Sequence, residues 1–308
     1  MFLGTPEFAV PSLEALERLR ENGAVQIVGV VTQPDRPASR GVVREPAVKK
    51  SARDMGLRVL QPERLAPKEV EALLALRPEL LVWAAYGNRI PKSLLDAVSG
   101  RAVNVHASLL PRWRGAAPIA HAILAGDVET GATLMEATVE LDAGPILAQT
   151  RAKISASENR GELEARLADL GAELLERELP RYLDGKLVRR PQEHRLVTLA
   201  PKLDPRKGEL DLSRPAAELA RVVRAYTPDP GAFMTFRGQR IGLVRATVVG
   251  GRGVDHGTLQ IRDGVPHIAA GAGWLRLDDV KPAGKRAMSG AEWARGLRDL
   301  TERERVPS

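Results

Sequence analysis

Cysteine is absent from the 308 residues, which removes disulfides, thiolate nucleophiles and cysteine-ligated zinc together. Histidine is scarce: the five, at 106, 121, 194, 256 and 267, never stand close enough to make a ligand pair, so no metal is expected. No run of about 18 uncharged apolar residues suggests a membrane span. The first residues lack the basic-then-apolar pattern of a secretory signal, so the cytoplasm is the expected location. Two nucleotide fingerprints are missing as well. The first turn, Gly4-Thr5-Pro6-Glu7-Phe8-Ala9, lacks the G-x-G-x-x-G spacing, which disfavours a nicotinamide or flavin dinucleotide, and no G-x-x-x-x-G-K-[ST] loop occurs.

What is there reads as an ordinary globular chain, 44% hydrophobic and 28% charged. Its length favours two domains over one. The net charge of +7 is uneven: Arg206 to Ser308 holds 18 Lys and Arg against 12 Asp and Glu, and the preceding part is nearly neutral. A basic module suits a polyanionic partner, with a merely solvated basic surface as the bland alternative.

Strands and helices alternate along the first part. Met1 to Leu3 reads as a strand, and Val10, Leu13, Leu16 and Leu19 recur at helical spacing as far as Asn22-Gly23. Val25 to Thr32 is a β-branched run of the kind buried on both faces of a parallel sheet. Helices are expected at 46–55, 68–76 and 92–98, with strands at 58–60, 80–85 and 102–107. That order implies a doubly wound α/β sheet. Leu163, Leu167, Leu170 and Leu174 stripe a long helix over 162–183. Residues 185–205, with Pro191, Pro201 and Pro205, read as an extended linker between a domain over 1–184 and another over 206–308. In the latter a helix at 215–226 and strands at 232–237, 240–249, 257–261 and 273–280 suggest a small β-barrel. Ser289 and Glu292 have capping-box spacing for a last helix. Loop 33–49 is long, Pro-rich and basic, as functional or disordered loops are.

The polar constellation lies at Asn104-Val-His106-Ala-Ser108. Alternate residues of a strand share a face, so Asn104 and His106 point the same way at the carboxyl end of a strand, where open α/β sheets bind ligands. Asp142 follows in "VELDAGPIL", in a turn shaped by Gly144 and Pro145. An amide, an imidazole and a carboxylate suit addition of an amine to a carbonyl: donors where oxygen charge develops, and an acceptor for the amine proton. On spacing alone two readings stand, an acyl-transfer site and a set of structural polar residues. Ser108 lacks the G-x-S-x-G elbow of a nucleophile and reads as a turn residue.

The motifs "FLGTPEFAVPSLEAL", "VVTQPDRPASRG", "VWAAYGNRIPKSLL", "NVHASLLPRWRGAAPI", "GDVETGATLMEATVELDAGPIL" and "LVTLAPKL", in this order, resemble the methionyl-tRNA formyltransferase family over essentially the whole chain. The resemblance implies a Rossmann-like formyltransferase domain followed by a small OB-like β-barrel domain that binds tRNA. It implies 10-formyltetrahydrofolate as co-substrate, initiator methionyl-tRNA as partner and no metal; separately, the lack of a heptad run or long apolar stripe outside the core makes a monomer the expectation. Asn104, His106 and Asp142 match the family's catalytic trio. Tyr86, Gly87, Asn88, Arg89, Ile90 and Pro91, with Ser108, Leu109, Leu110, Pro111, Leu141 and Gly144, match its folate-binding segments. Arg36, Arg40 and Arg44 fall in the loop matching the one that reaches the tRNA acceptor end. Two alternatives remain: a formyltransferase acting on a small amine, such as an amino sugar or glycinamide ribonucleotide, and a non-catalytic tRNA-binding protein.

Overall fold

Apolar Phe2, Leu3 and their neighbour Gly4 form β1 (Phe2–Gly4), wholly buried between two other strands of a computed structural model that describes residues 1–37, 43–251, 254–297 and 304–306. Chain order then runs α1 (Val10–Glu21), β2 (Val30–Val31), β3 (Arg36–Pro37), β4 (Val43–Arg44), α2 (Ala47–Asp54), β5 (Val59–Leu60), α3 (Pro67–Leu74) and β6 (Leu81–Ala84). It continues through α4 (Lys92–Ala97), β7 (Ala102–His106), α5 (Pro118–Ala125), β8 (Glu129–Glu136), β9 (Ile146–Lys153) and α6 (Arg160–Leu183). The chain divides into two compact units. One comprises Met1–Pro118, Glu129–Lys153 and Glu164–Pro201; the other comprises Ile119–Val128, Ile154–Leu163 and Lys202–Ser308.

The first unit is built on a seven-stranded sheet in the order β5-β2-β1-β6-β7-β8-β9. Its first five members are parallel, and β8 and β9 add an antiparallel edge. The sheet is thus Rossmann-like, and mixed where the sequence pattern suggested only parallel strands. The run Val25–Thr32 is paired as a strand only at Val30–Val31, level with Phe2 and Leu3 of β1. Leu3, Val31, Leu81 and Tyr86 pack with Val70 and Leu73 of α3 and Leu94 of α4 on one face. Gly171 of α6 lies so close to the sheet that a Cβ there would stand 2.7 Å from Val105 Cγ1, so helices cover the sheet on both sides. Leu163, Leu167 and Leu174 of the expected stripe are fully buried, whereas Leu170 is half-buried.

Segment 185–205 is extended, but up to Pro201 it is stitched into the first unit. Arg190 and Ile146 exchange backbone hydrogen bonds of 2.8 and 3.0 Å, and Arg114 N–H donates to Thr198 O at 2.9 Å while Ala200 N–H donates to Arg114 O at 2.7 Å. Residues 119–128 and 154–163, which the boundary at 184 left with the first domain, pack in the second unit.

That unit adds α7 (Ala216–Tyr226), β10 (Ala232–Phe236), β11 (Gln239–Val249), β12 (Thr258–Arg262), β13 (Val265–Ala269), β14 (Trp274–Pro282), β15 (Met288–Ser289), α8 (Gly290–Arg295) and β16 (Glu304–Arg305). Its antiparallel sheet runs β10-β11-β14-β13-β12-β16. The sheet curls, so that Arg237, just past β10 at one edge, reaches Glu304 of β16 at the other, Nε to Oε1 2.8 Å. This is the OB-like architecture. Ser289 and Glu292 form the capping box of α8, each side chain bonding the other's backbone N–H.

Candidate active site

The site grows from the carboxyl end of β7. Asn104 and His106 share one face of this strand, 6% and 7% exposed, and β7 pairs with β6 so that Asn104 is level with Trp83. His106 Nε2 lies 2.9 Å from the carbonyl oxygen of Trp113. A carbonyl only accepts, so the hydrogen sits on Nε2 and the ring turns Nδ1 toward Asp142. Nδ1 is 3.7 Å from Asp142 Oδ2, longer than a hydrogen bond, and the two pair as ions only when Nδ1 also carries a proton. Among the described residues nothing hydrogen-bonds the Asn104 amide or Asp142 Oδ1, so both remain available to a third group.

Asp142 is buried at 9% exposure and adopts a left-handed backbone, φ 50°. A non-glycine residue there costs on the order of 1–3 kcal/mol and persists where its surroundings dictate it. Those surroundings are specific. Gly115 N–H donates to Asp142 Oδ2 at 2.8 Å. The Gln192 amide donates to the carbonyls of Asp142 and Gly144 at 2.8 and 2.7 Å. At Gly144 a Cβ would fall 1.8 Å from Glu136 O, so only glycine lets the loop close against the end of β8.

The turn after β7 is fixed as firmly. Ser108 Oγ donates to Arg112 O at 2.6 Å, the turn-forming role its context suggests. Thr133 Oγ1, from β8, donates to Ser108 O at 2.6 Å and accepts Leu110 N–H at 3.2 Å, and Gln149 Nε2 of β9 reaches Leu110 O at 3.0 Å. The Leu110–Pro111 peptide is cis, and Leu110 packs with Met135 and Ile146. Leu109 is half-buried, with its Cδ2 near Gly131. Trp113 N–H donates to Thr198 Oγ1 at 2.9 Å, and a Cβ on Gly115 would lie 2.7 Å from Ala200 O.

Tyr86 to Pro91 forms the loop at the carboxyl end of β6. Tyr86 is buried, burial pushes its phenol upward, and its carbonyl accepts Thr5 Oγ1 at 3.1 Å. Gly87 takes φ 85° with a Cβ position 2.6 Å from Gln33 Nε2. Asn88 is half-buried, Ile90 packs on the core and Pro91 caps α4. Arg89 donates to Val139 O at 3.3 Å, tying this loop to the one that carries Leu141 and Asp142. Leu141 itself is 71% exposed. Of the three loop arginines, Arg36 and Arg44 stand opposite each other in the β3–β4 pair, both exposed; Arg40 lies outside the described residues. Asp35 steadies this hairpin, and hydrogen bonds from Gln61 and Lys49 hold its carboxyl below the usual carboxylate range.

Sequence reading brings together Asn104, His106, Ser108 and Asp142 but misses Arg114, Gln192 and Thr198, which pin them. Gln192 sits in a segment whose composition signals only a linker, and Thr198 in the motif "LVTLAPKL", which carries no side-chain role by itself. Among the described residues no group of three or more His, Cys, Asp or Glu could hold a metal ion, and no helix is long and apolar enough to cross a membrane.

The family model for Formyl transferase matches residues 1–179, and the model for its C-terminal domain matches residues 202–298. A methionyl-tRNA formyltransferase of Halorhodospira halophila is 45% identical over 301 residues, which span 97% of this chain and 96% of that protein. Another, of Myxococcus xanthus, is 45% identical over 298 residues, 96% of this chain and 94% of its own. The chain belongs to the methionyl-tRNA formyltransferase family. Its members are formyl-transferring enzymes; the first match contains every strand of the α/β sheet, and the second contains the curled sheet from β10 to β15. Solved structures extend the fold more widely. The sugar 3N-formyl transferase WlaRD, solved in the presence of dTDP and 5-N-formyl-THF, superposes with TM-score 0.69 at 15% identity, covering 92% of this chain and 97% of its own. HypX from Aquifex aeolicus in complex with tetrahydrofolic acid gives 0.59 at 20% identity, over 78% of this chain and 43% of that one. At these identities the likeness is one of fold.

Proposed function

We propose that this protein transfers the formyl group of 10-formyltetrahydrofolate to the α-amine of methionyl-initiator tRNA, acting in the cytoplasm as a monomer. The observation that carries the chemistry is the meeting of Asn104, His106 and Asp142 at the carboxyl end of β7, with Nδ1 and Oδ2 3.7 Å apart. The amine lone pair attacks the formyl carbon, the carbon–N10 bond breaks, and the amine proton passes to N10, giving formylmethionyl-tRNA and tetrahydrofolate. Asn104 donates its free amide N–H to the formyl oxygen as negative charge develops there, and His106 adds its electrostatic support from the same face. Asp142, with Oδ1 unengaged, orients the imidazole and carries the proton, directly or through water.

Tyr86 to Pro91, Ser108 to Pro111, and Leu141 with Gly144 line the folate side of this reading. Two features support it: the loop at 86–91 is tied to the Asp142 loop through Arg89, and the backbone there is glycine-dependent at Gly87 and Gly144. Arg36, Arg40 and Arg44 supply cations for the acceptor arm, whose charge gives the affinity that one small amine cannot.

The test is to incubate the purified protein with 10-formyltetrahydrofolate and, in turn, charged initiator tRNA, elongator methionyl-tRNA, an amino sugar nucleotide and glycinamide ribonucleotide. Product on initiator tRNA alone is expected. Formylation of the small amines instead points to the sugar or nucleotide reading, and tRNA binding without product to a non-catalytic binder.

A further inference from the structure

Gln192 is a neutral side chain, 8% exposed, whose every polar atom is used. Its Nε2 donates to Asp142 O at 2.8 Å and Gly144 O at 2.7 Å, and its Oε1 accepts Arg114 Nε at 3.0 Å. The two groups it joins are the two that meet around the carboxylate. Arg114 precedes Gly115, whose N–H donates to Asp142 Oδ2, and the carbonyls belong to the left-handed turn that aims Asp142. Arg114 is itself buried, and its acidic neighbour Glu140, at 3.6 Å, is largely exposed. An amide suits this place for a chemical reason: it donates toward the carbonyls and accepts from the guanidinium, in one plane and without charge. A carboxylate would face two carbonyl oxygens with lone pairs, and an apolar side chain would leave the Arg114 Nε and two buried carbonyls without partners.

We propose that Gln192 is a positioning residue for formyl transfer, acting through Asp142 by fixing the 142–144 turn against the Arg114–Gly115 backbone. This rests on the reading of Asp142 as the proton-carrying group. Gln192 does not touch the reacting atoms, and its place outside the α/β pattern explains why no motif marks it. The closure also depends on the segment around it: Arg190, two residues earlier, pairs with Ile146, and Thr198 and Ala200 hold the 113–117 backbone from the same stretch of chain.

Two variants test this, Gln192→Glu, which keeps shape and an acceptor for Arg114, and Gln192→Met, which keeps length without polarity. In each, kcat on initiator methionyl-tRNA is expected to fall by about 10- to 100-fold, since a displacement of about 1 Å at a reacting centre costs up to about 100-fold, with the KM for the tRNA within about two-fold. Placed on Asp142→Asn, either variant is expected to cost less than about two-fold more, because side chains acting as one unit are not additive. A retained kcat, or a full second loss on top of Asp142→Asn, overturns the proposal. A readout independent of activity is amide exchange in the intact protein: the Gly115 N–H exchanges faster in both variants while the β7 amides keep their protection. Unchanged Gly115 exchange overturns the proposal even if the enzyme's substrate proves to be different, and absence of product from the wild-type protein counts against the substrate reading alone.

Discussion

At the scale of single residues, the site depends on an aspartate whose backbone geometry is disfavoured and whose carboxylate is only half engaged. Oδ2 takes the Gly115 N–H at 2.8 Å, which leaves Oδ1 for the proton-carrying role proposed above. Asn at this position retains an acceptor for Gly115 and nearly the same volume, so Asp142→Asn removes the charge and the proton-carrying capacity while keeping the turn. The expected outcome is a fall in the single-turnover formyl-transfer rate of about 100-fold or more, the size of a positioned acid–base contribution. Binding of tRNA, measured by filter retention, stays at the wild-type level. A variant that keeps most of its rate would take Asp142 out of the mechanism.

At the scale of elements, β8 shows how the sheet edge serves the site. It supplies Thr133 to hold the Ser108 turn and ends at Glu136, whose carbonyl closes on Gly144. Its Gly131 has room for nothing larger: a Cβ would stand 2.0 Å from Thr150 O and 2.6 Å from Leu109 Cδ2. Gly131→Ala must therefore push β9 or the 108–111 turn aside. The strain expected is about 1–3 kcal/mol, as for overfilled interiors, and a lower urea midpoint with reduced formyl transfer would register it; an unchanged midpoint would show that the edge yields freely. This strand was not legible in the sequence, although it decides the geometry. "ETGATLME" is buried along nearly its whole length and does not alternate, and its pairing with β9 spans a loop that gives no hairpin signal. β13 was legible in principle: Asp263 and Gly264 take positive φ in a two-residue turn, and Asp-Gly is a strong hairpin marker. Strands β6 and β7 were readable because Leu81–Ala84 and Ala102–His106 are short, largely buried runs made mostly of apolar residues. The anchoring by Gln192 and Thr198 was not, because hydrogen bonds between distant segments leave no periodicity.

At the scale of the whole molecule, the excess positive charge of the last third is sorted by its own ion pairs. Arg206 with Asp204, Arg214 with Glu218, Arg237 with Glu304, and Arg276 with Asp278 are each within 2.7 Å of a carboxylate oxygen. Arg245 is held between Glu162 and Asp279. Arg240, Lys281 and Lys285 are exposed, and no acidic group is paired with them among the described residues. They share one end of the curled sheet: Lys281 pairs with Gly242 across β11 and β14, Ala283 N–H bonds Arg240 O, and Arg240 lies over the Phe233 ring at 3.6 Å. Uncompensated cations grouped on a strand end are what a phosphate backbone requires, whereas the paired arginines are already neutralised. Binding of initiator tRNA should then weaken linearly on a plot of log affinity against log salt. Replacing Lys281 and Lys285 with Gln should flatten that slope by about one for each phosphate that no longer meets a cation, with formyl transfer at saturating tRNA unchanged. If the slope stayed the same while Arg36→Gln and Arg44→Gln reduced it, the electrostatic grip would lie in the hairpin of the first unit, and the basic end of this sheet would be a solvated surface.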